Sequence, residues 1–335
     1  MGRKTRHLHK YGIIVSFAVA FLLYVEVRHI MNPKQPDSPS DTEKVENRKR
    51  WEKYTLDTHT TEELITTAKK VNQNENFVAL CVINGAYLPF LLSWLCNTAN
   101  MDVHRHLLIV ISDENAVQQV RFLWPDLYVM SITIPEENLN KNLTFGEAGY
   151  LRYLLVRIEI MYTLINNDIN VVLFEADAVW FKNPLALVTS MNEYDIIGST
   201  TNTHHLAFGF MFLRSNKIMI KIFGSLVLEM RFLIVSLQDR DAKEDVHIMA
   251  YDQDYLAKNL EKHEQDVRVN LLNETIVADG FWYTSKWYLQ LGTYILNNNG
   301  IKGNGLKIKR AKENGHWLIL EDYTCNWDKI KAICH

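Results

Sequence analysis

From Phe77 onward the chain repeats one pattern: a short unbroken apolar run, a turn signal, then a longer stretch of helical period. FVALCVI (77–83) stops at Asn84-Gly85 and gives way to AYLPFLLSWLCNTA (86–99). HLLIVIS (106–112) stops at Ser112-Asp113 and is followed by ENAVQQVRFLW (114–124), then by LYVMSITI (127–134). Apolar runs without polar alternation are strands covered on both faces, the situation of a parallel sheet flanked by helices. Strand and helix in alternation therefore predict an α/β fold with a mostly parallel sheet. The segment Glu147 to Asn166 reads as a long helix with a wide apolar face. It passes through Asn167-Asp168 into VVLF (171–174), a fourth buried strand.

The N-terminal region obeys different rules. Arg3, Lys4, Arg6 and Lys10 precede an uncharged run from Tyr11 to Val25, which Glu26 and Arg28 close. As a helix this run rises about 23 Å, and snorkelling by Lys10 and Arg28 extends it toward the ~30 Å hydrocarbon core. A cleaved signal peptide would need small residues after the run, and VEVRHIMNPK offers none. The basic flank predicts a cytoplasmic tail over 1–10, a signal anchor over 11–27 and a luminal remainder. Residues 28–76 read as a stem: three prolines fall within NPKQPDSPSD, and the charge run EKVENRKRWEK follows. Such composition buries too little apolar area to offset its ordering entropy, apart from one weak helix in TEELITTAKKV (61–71). The catalytic domain is expected over 77–335. Two sequons, Asn142-Leu-Thr144 and Asn273-Glu-Thr275, fall on the expected luminal side. A formal net charge of −3 argues against nucleic acid as a partner. Of the four cysteines, Cys81 reads as a small apolar filler of a buried strand. Cys325 and Cys334 lie nine apart and are candidates for a local bridge.

The fourth strand ends in Glu175-Ala176-Asp177-Ala178-Val179-Trp180-Phe181-Lys182-Asn183-Pro184. In open parallel sheets ligands gather at the carboxyl ends of strands. Two carboxylates one residue apart can share a hard divalent cation whose other positions go to substrate phosphates. That cation would neutralise a diphosphate leaving group, the main demand of transfer from a nucleotide sugar. By itself an acid-x-acid pair after a strand is more often a solvated acidic turn.

The run YLRYLL…NVVLFEADAVWFKNPL resembles the nucleotide-diphospho-sugar transferase domain, glycosyltransferase family 77 in particular. The resemblance extends over most of 77–320. Ala207-Phe-Gly-Phe-Met-Phe-Leu-Arg-Ser215 is similar to the family's glycine-phenylalanine strand. Asp252-Gln253-Asp254 matches its D-Q-D motif, and Asn297-Asn-Asn-Gly-Ile-Lys-Gly303 with Lys307-Ile-Lys-Arg-Ala-Lys312 resembles its late segment. The resemblance implies a GT-A, Rossmann-like sheet flanked by helices and retaining transfer, by same-face attack or through a covalent intermediate.

Carried over residue by residue, the resemblance makes Asp177 the principal metal ligand, with Glu175 near the metal or the donor ribose. The family usually has Asp at the first position; Glu175 keeps the charge and moves the carboxylate out by one methylene. Arg152 matches an arginine that pairs with donor or metal-site acids. Asn84 sits where such folds hold the base or ribose. Gln253 and Asp254 are placed beside the anomeric carbon, with helix capping the competing role for the trio. Asn297 stands where many such domains carry a ligating histidine, and Lys307 is placed to reach a donor phosphate. His204, His205 and His316 lack zinc-helix spacing and read as acceptor-cleft or structural residues. The implied partners are a divalent cation, Mn2+ before Mg2+, a UDP-sugar such as UDP-xylose or UDP-galactose, and a glycan or glycoprotein acceptor. The implied location is the Golgi membrane. A phosphatase of the haloacid dehalogenase type would need Asp at position 175 as nucleophile. A catalytically silent homologue that binds glycans or partner enzymes is the alternative that Glu175 and the missing histidine keep open.

Overall fold

The computed structural model describes residues 51–73, 76–134, 136–200, 206–247, 250–285 and 292–333. The expected tail, anchor and stem up to residue 50, together with His204, His205 and Cys334, lie outside the described residues. Among the described residues no helix is long and apolar enough to cross a membrane.

Ten strands are described: β1 (Phe77–Ile83), β2 (Leu107–Ile111), β3 (Tyr128–Ser131), β4 (Asn170–Phe174), β5 (Val179–Trp180), β6 (Ile196–Thr200), β7 (Leu206–Leu213), β8 (Val269–Leu271), β9 (Val277–Ala278) and β10 (Ile295–Leu296). The helices are α1 (Thr58–Val71), α2 (Leu88–Thr98), α3 (Glu114–Leu123), α4 (Ala148–Ile165), α5 (Leu185–Ser190), α6 (Lys217–Ser236), α7 (Asp252–Lys262), α8 (Trp282–Ser285), α9 (Asn304–Glu313) and α10 (Trp327–Ile333). The main sheet has the order β3-β2-β1-β4-β7-β6-β8, and a small second sheet has the order β5-β10-β9. In the main sheet only β7 runs against the others, pairing antiparallel with both β4 and β6. The expected mostly parallel, GT-A-like sheet flanked by helices is thus present.

The apolar strands alternate strictly between two cores. Val78, Leu80, Val110, Val171 and Leu173 face α1, α4, α6 and α7. Ala79, Cys81, Ile109, Val172 and Phe174 face α2 and α3. Each such Val or Leu contributes roughly 1.5–3 kcal/mol on burial, and both faces need it, which is why the runs carry no polar residue. The turn from α4 into β4 uses Asp168 at φ 61°, a left-handed position that Asp tolerates.

Two expectations need correction. Helix α1 is no isolated stem element: Leu64, Ala68 and Val71 are buried in the main core, and Asp57 caps it by accepting the Thr60 N–H at 2.9 Å. Tyr54 is buried as well and donates to Glu136 at 2.7 Å. The folded body therefore begins near residue 50 rather than at 77, because the i, i+4, i+7 stripe of α1 has a sheet to pack on. The disulfide also differs. Cys325 is bonded to Cys96 in α2, 229 residues away, not to Cys334. Cys81 is a free, fully buried thiol in β1, as its filler reading requires.

Candidate active site

β1 and β4 end side by side, and the chain beyond each turns into a shared cleft of about 640 Å³, within the usual range for ligand pockets. After β4 the chain folds into a tight turn: the Glu175 N–H donates to Gly209 O at 3.1 Å and the Ala178 N–H to Glu175 O at 3.2 Å. The turn is followed by β5, clamped to α2 by Asn97, whose side chain both donates to Trp180 O (2.9 Å) and accepts the Trp180 N–H (2.7 Å). Because β5 pairs with β10, and β10 with β9, the small sheet draws Asn297 and Asp279 up to the acidic turn. The approach is close: a Cβ on Gly209 would lie 2.8 Å from Asn297 Nδ2, so that strand needs glycine.

The charges are tightly paired. Arg157, buried in α4, reaches Asp252 at 2.8 Å and Glu175 at 3.3 Å and lies 5.0 Å from the Phe208 ring. Lys307, on α9, holds Asp177 at 2.5 Å and donates to the Tyr87 hydroxyl at 3.2 Å. Burial raises the Glu175 carboxyl above its ordinary range, and the Asp177 charge adds to this against Arg157 and Lys307. Burial likewise raises Asp252, with Arg157 opposing. For Lys307 burial works against the charge, but Asp177, Tyr87 and Glu175 outweigh it and hold the ammonium well above its usual value. Burial and the Asp177 charge push Tyr87 up to about 12.

Three amide oxygens in this cleft, Asn84 Oδ1, Gln253 Oε1 and Asn297 Oδ1, are buried without a hydrogen-bond partner. Each unmet oxygen costs roughly 1–3 kcal/mol, so their collection around one cleft points to a ligand that supplies the missing donors or a cation. The Asn84 amide nitrogen is meanwhile fixed by Leu139 O (2.8 Å) and Lys141 O (3.0 Å), which holds its oxygen in place.

Glu175, Asn84, Gln253, Asn297 and Lys307 line the cleft, and Asp177 meets Lys307 beside it. Two residues stand elsewhere. Arg152 pairs with Glu136 at 2.7 Å and donates to Leu237 O and Arg240 O, fastening two loops rather than the acids of the turn. The arginine that meets the site acids is Arg157, five positions further along α4. Asp254 is exposed and accepts the Tyr251 N–H at 2.8 Å, which caps α7. Asp252 is the buried acid of the trio and lines the cleft. His316 is buried in an aromatic cluster with Phe181, Trp282 and Tyr283, a structural place.

Glu175, Asp177 and the orphaned Asn297 oxygen form an all-oxygen donor set, which suits a hard divalent cation that takes its remaining ligands from phosphate and water. Among the described residues no group of three or more His, Cys, Asp and Glu is placed to hold a metal. The protein set fits such a cation only as a partial shell, completed by substrate.

A model of the nucleotide-diphospho-sugar transferase family matches residues 102–311. The chain is 25% identical over 285 residues to UDP-D-xylose:L-fucose alpha-1,3-D-xylosyltransferase 1 of Arabidopsis thaliana, covering 81% of this chain and 76% of that one. It is 23% identical over 334 residues to UDP-D-xylose:L-fucose alpha-1,3-D-xylosyltransferase MGP4 of the same plant, covering 93% and 86%. Among solved structures, the glycosyltransferase GlyE of Streptococcus pneumoniae aligns with TM-score 0.43 at 13% identity, over 77% of this chain and 63% of that one.

Proposed function

Since the chain belongs to the nucleotide-diphospho-sugar transferase family, we propose that it transfers a sugar, with retention, from a UDP-sugar to a glycan or glycoprotein acceptor. The observation that carries this reading is the set of three orphaned amide oxygens in one cleft with two compensated acid groups. In this reading Asn84, at the end of β1, takes the nucleoside. Lys307 takes a phosphate oxygen, and Glu175, Asp177 and Asn297 hold a divalent cation, Mn2+ before Mg2+. When bound, that cation supplies Lewis-acid neutralisation of the leaving diphosphate. Gln253, on the first turn of α7, presents its oxygen to the anomeric carbon as positive charge develops there. Asp252 fixes that turn by accepting the Gln253 N–H at 2.9 Å, and Arg157 fixes Asp252 in turn.

UDP-xylose is the first donor to test, because the relatives named above use it; UDP-galactose, UDP-glucose and UDP-arabinose complete the screen. The expected result is slow Mn2+-dependent donor hydrolysis with one of them, faster when an acceptor such as L-fucose is added. The second reading, a silent glycan-binding homologue, draws support from Lys307 lying on Asp177. It prevails if every donor survives intact while glycans still bind.

We further propose a type II Golgi protein, with 11–27 as the anchor. A Cys96–Cys325 disulfide suits an oxidising lumen, and Asn142 and Asn273 are both exposed. Glycosidase treatment should shift the mobility of the expressed protein. A product that is never glycosylated and is digested in sealed microsomes would remove this topology.

A further inference from the structure

The Lys307 ammonium sits on Asp177 at 2.5 Å, on the carboxylate that a cation would need. Both side chains are withdrawn from solvent, 15% and 3% exposed, and Tyr87 gives Lys307 its second oxygen. The other acid of the turn is already held by Arg157, which also neutralises Asp252. A cation arriving alone therefore meets a pair of acids that the protein has compensated with its own side chains. It would gain Asp177 only by driving a buried ammonium off it, against direct charge repulsion at close range.

Charge balance gives the same answer. Glu175, Asp177 and Asp252 face Arg157 and Lys307; Asp279 and Lys302 also line the cleft, and Arg310 acts on both Asp177 and Asp279. With every group ionised, four acids meet four bases and the charges cancel. A divalent cation alone turns that into a positive excess, and the two charges of a sugar-linked diphosphate alone leave a negative one. The two together leave the balance where it was, and the diphosphate offers the displaced ammonium a new partner.

We propose that Lys307 is a resident counter-ion that makes cation binding at Asp177 conditional on the nucleotide-sugar donor. The inference rests on the reading of the cleft as a donor and cation site. Its content is a linkage: cation and nucleotide bind as a unit, and Lys307 is the group that enforces it.

Thermal melts and Mn2+ titrations of the purified full-length chain test this, with Mn2+ alone, UDP alone and the two together. For the unaltered protein Mn2+ alone should give no shift in Tm, and Mn2+ with UDP a clear one. Lys307→Gln keeps a donor toward Asp177 but removes the charge. It should lower the Tm of the free protein, and Mn2+ alone should now bind, tighter by roughly tenfold or more, and restore Tm in a way that EDTA reverses. Lys307→Arg should behave like the unaltered chain. If the unaltered chain binds Mn2+ alone as tightly as Lys307→Gln does, the resident-counter-ion proposal is overturned while the donor and cation reading stands. If UDP shifts Tm equally with and without Mn2+ in every variant, the cation reading itself is lost, and the proposal with it.

Discussion

Two acid-x-acid motifs reach the cleft, Glu175-Ala-Asp177 and Asp252-Gln-Asp254, and the structure uses the two differently. The first closes a strand in a tight turn. Glu175 lines the cleft and Asp177 meets Lys307, so both acids serve one site. The second opens helix α7. At 3.6 residues per turn, positions i and i+2 lie about 200° apart, so only Asp252 can look inward when Asp254 looks out. Spacing alone does not define a pair of ligands; the backbone under it decides whether the second acid is a partner or a cap. Arg157 ties the two motifs together by holding the inward acid of the second and the first acid of the turn.

The sharpest break of this comparison is Asp252→Ala. It leaves Arg157 buried with only the 3.3 Å contact to Glu175, and removing one partner of a buried pair costs about 3–5 kcal/mol. Gln253 loses the contact that fixes its backbone, so turnover should fall below detection. Urea denaturation and donor hydrolysis read the two effects. A variant as stable and active as the parent would show that Arg157 does not depend on Asp252.

Asp177→Ala comes next. On the proposed reading its effect belongs mainly to the reaction, because a diphosphate would lose a charged partner on its cation, a loss of roughly 3–4 kcal/mol or two to three decades in rate. The free protein should lose less stability than Asp252→Ala does, since Lys307 keeps the Tyr87 hydroxyl and, at 15% exposed, is less buried than Arg157 at 9%. Full activity in Asp177→Ala would detach the turn from the chemistry altogether.

Asn97→Ala tests the support of the first motif rather than its charges. The amide makes two buried hydrogen bonds to the Trp180 backbone, and their loss leaves both groups unmet, about 2–3 kcal/mol in all. The expected signature is a lower Tm with donor affinity reduced and α7 unaffected. Hydrogen exchange that rises at β5 and β10 but not over 252–262 would bear this out; a uniform rise would not.

What the sequence made legible follows from range. β1 to β4 and the long helix were readable because burial on both faces writes itself into consecutive residues. Glu175 and Asp177 were readable because they follow a strand. Arg152 and Arg157 are alike in sequence, two arginines in one apolar helix, and 500° of helical rotation separates them by about 140°. Which one faces the acids depends on how α4 sits against the sheet. The one local signal was that Arg157 lies deeper in the apolar run LLVRIEIM, where a charge must have a buried partner. The Lys307–Asp177 contact spans 130 residues and the Cys96–Cys325 bond 229, and nothing local marks either. The short spacing of Cys325 and Cys334 pointed to a local bridge that did not form.

The smallest expected effect settles the comparison most directly. Asp254 is exposed and accepts the N–H of Tyr251, the residue that opens α7. Its removal therefore takes one contact from a helix N-terminus and weakens the favourable interaction of an acid with the helix dipole. Asp254→Ala should cost about 1 kcal/mol, the usual loss for such a cap. Turnover should stay within about twofold of the parent, since each decade of rate needs about 1.4 kcal/mol at the transition state and Asp254 lies outside the cleft. Asp254→Glu should recover most of the stability by reaching back to the same N–H. Stability by denaturation and kcat by donor hydrolysis, measured on the same preparations, separate the two roles. If Asp254→Ala keeps its stability but loses as much activity as Asp252→Ala, then both acids of the second motif turn inward during the reaction. α7 would then unwind its first turn on binding, and the difference drawn between the two motifs would hold only for the free protein.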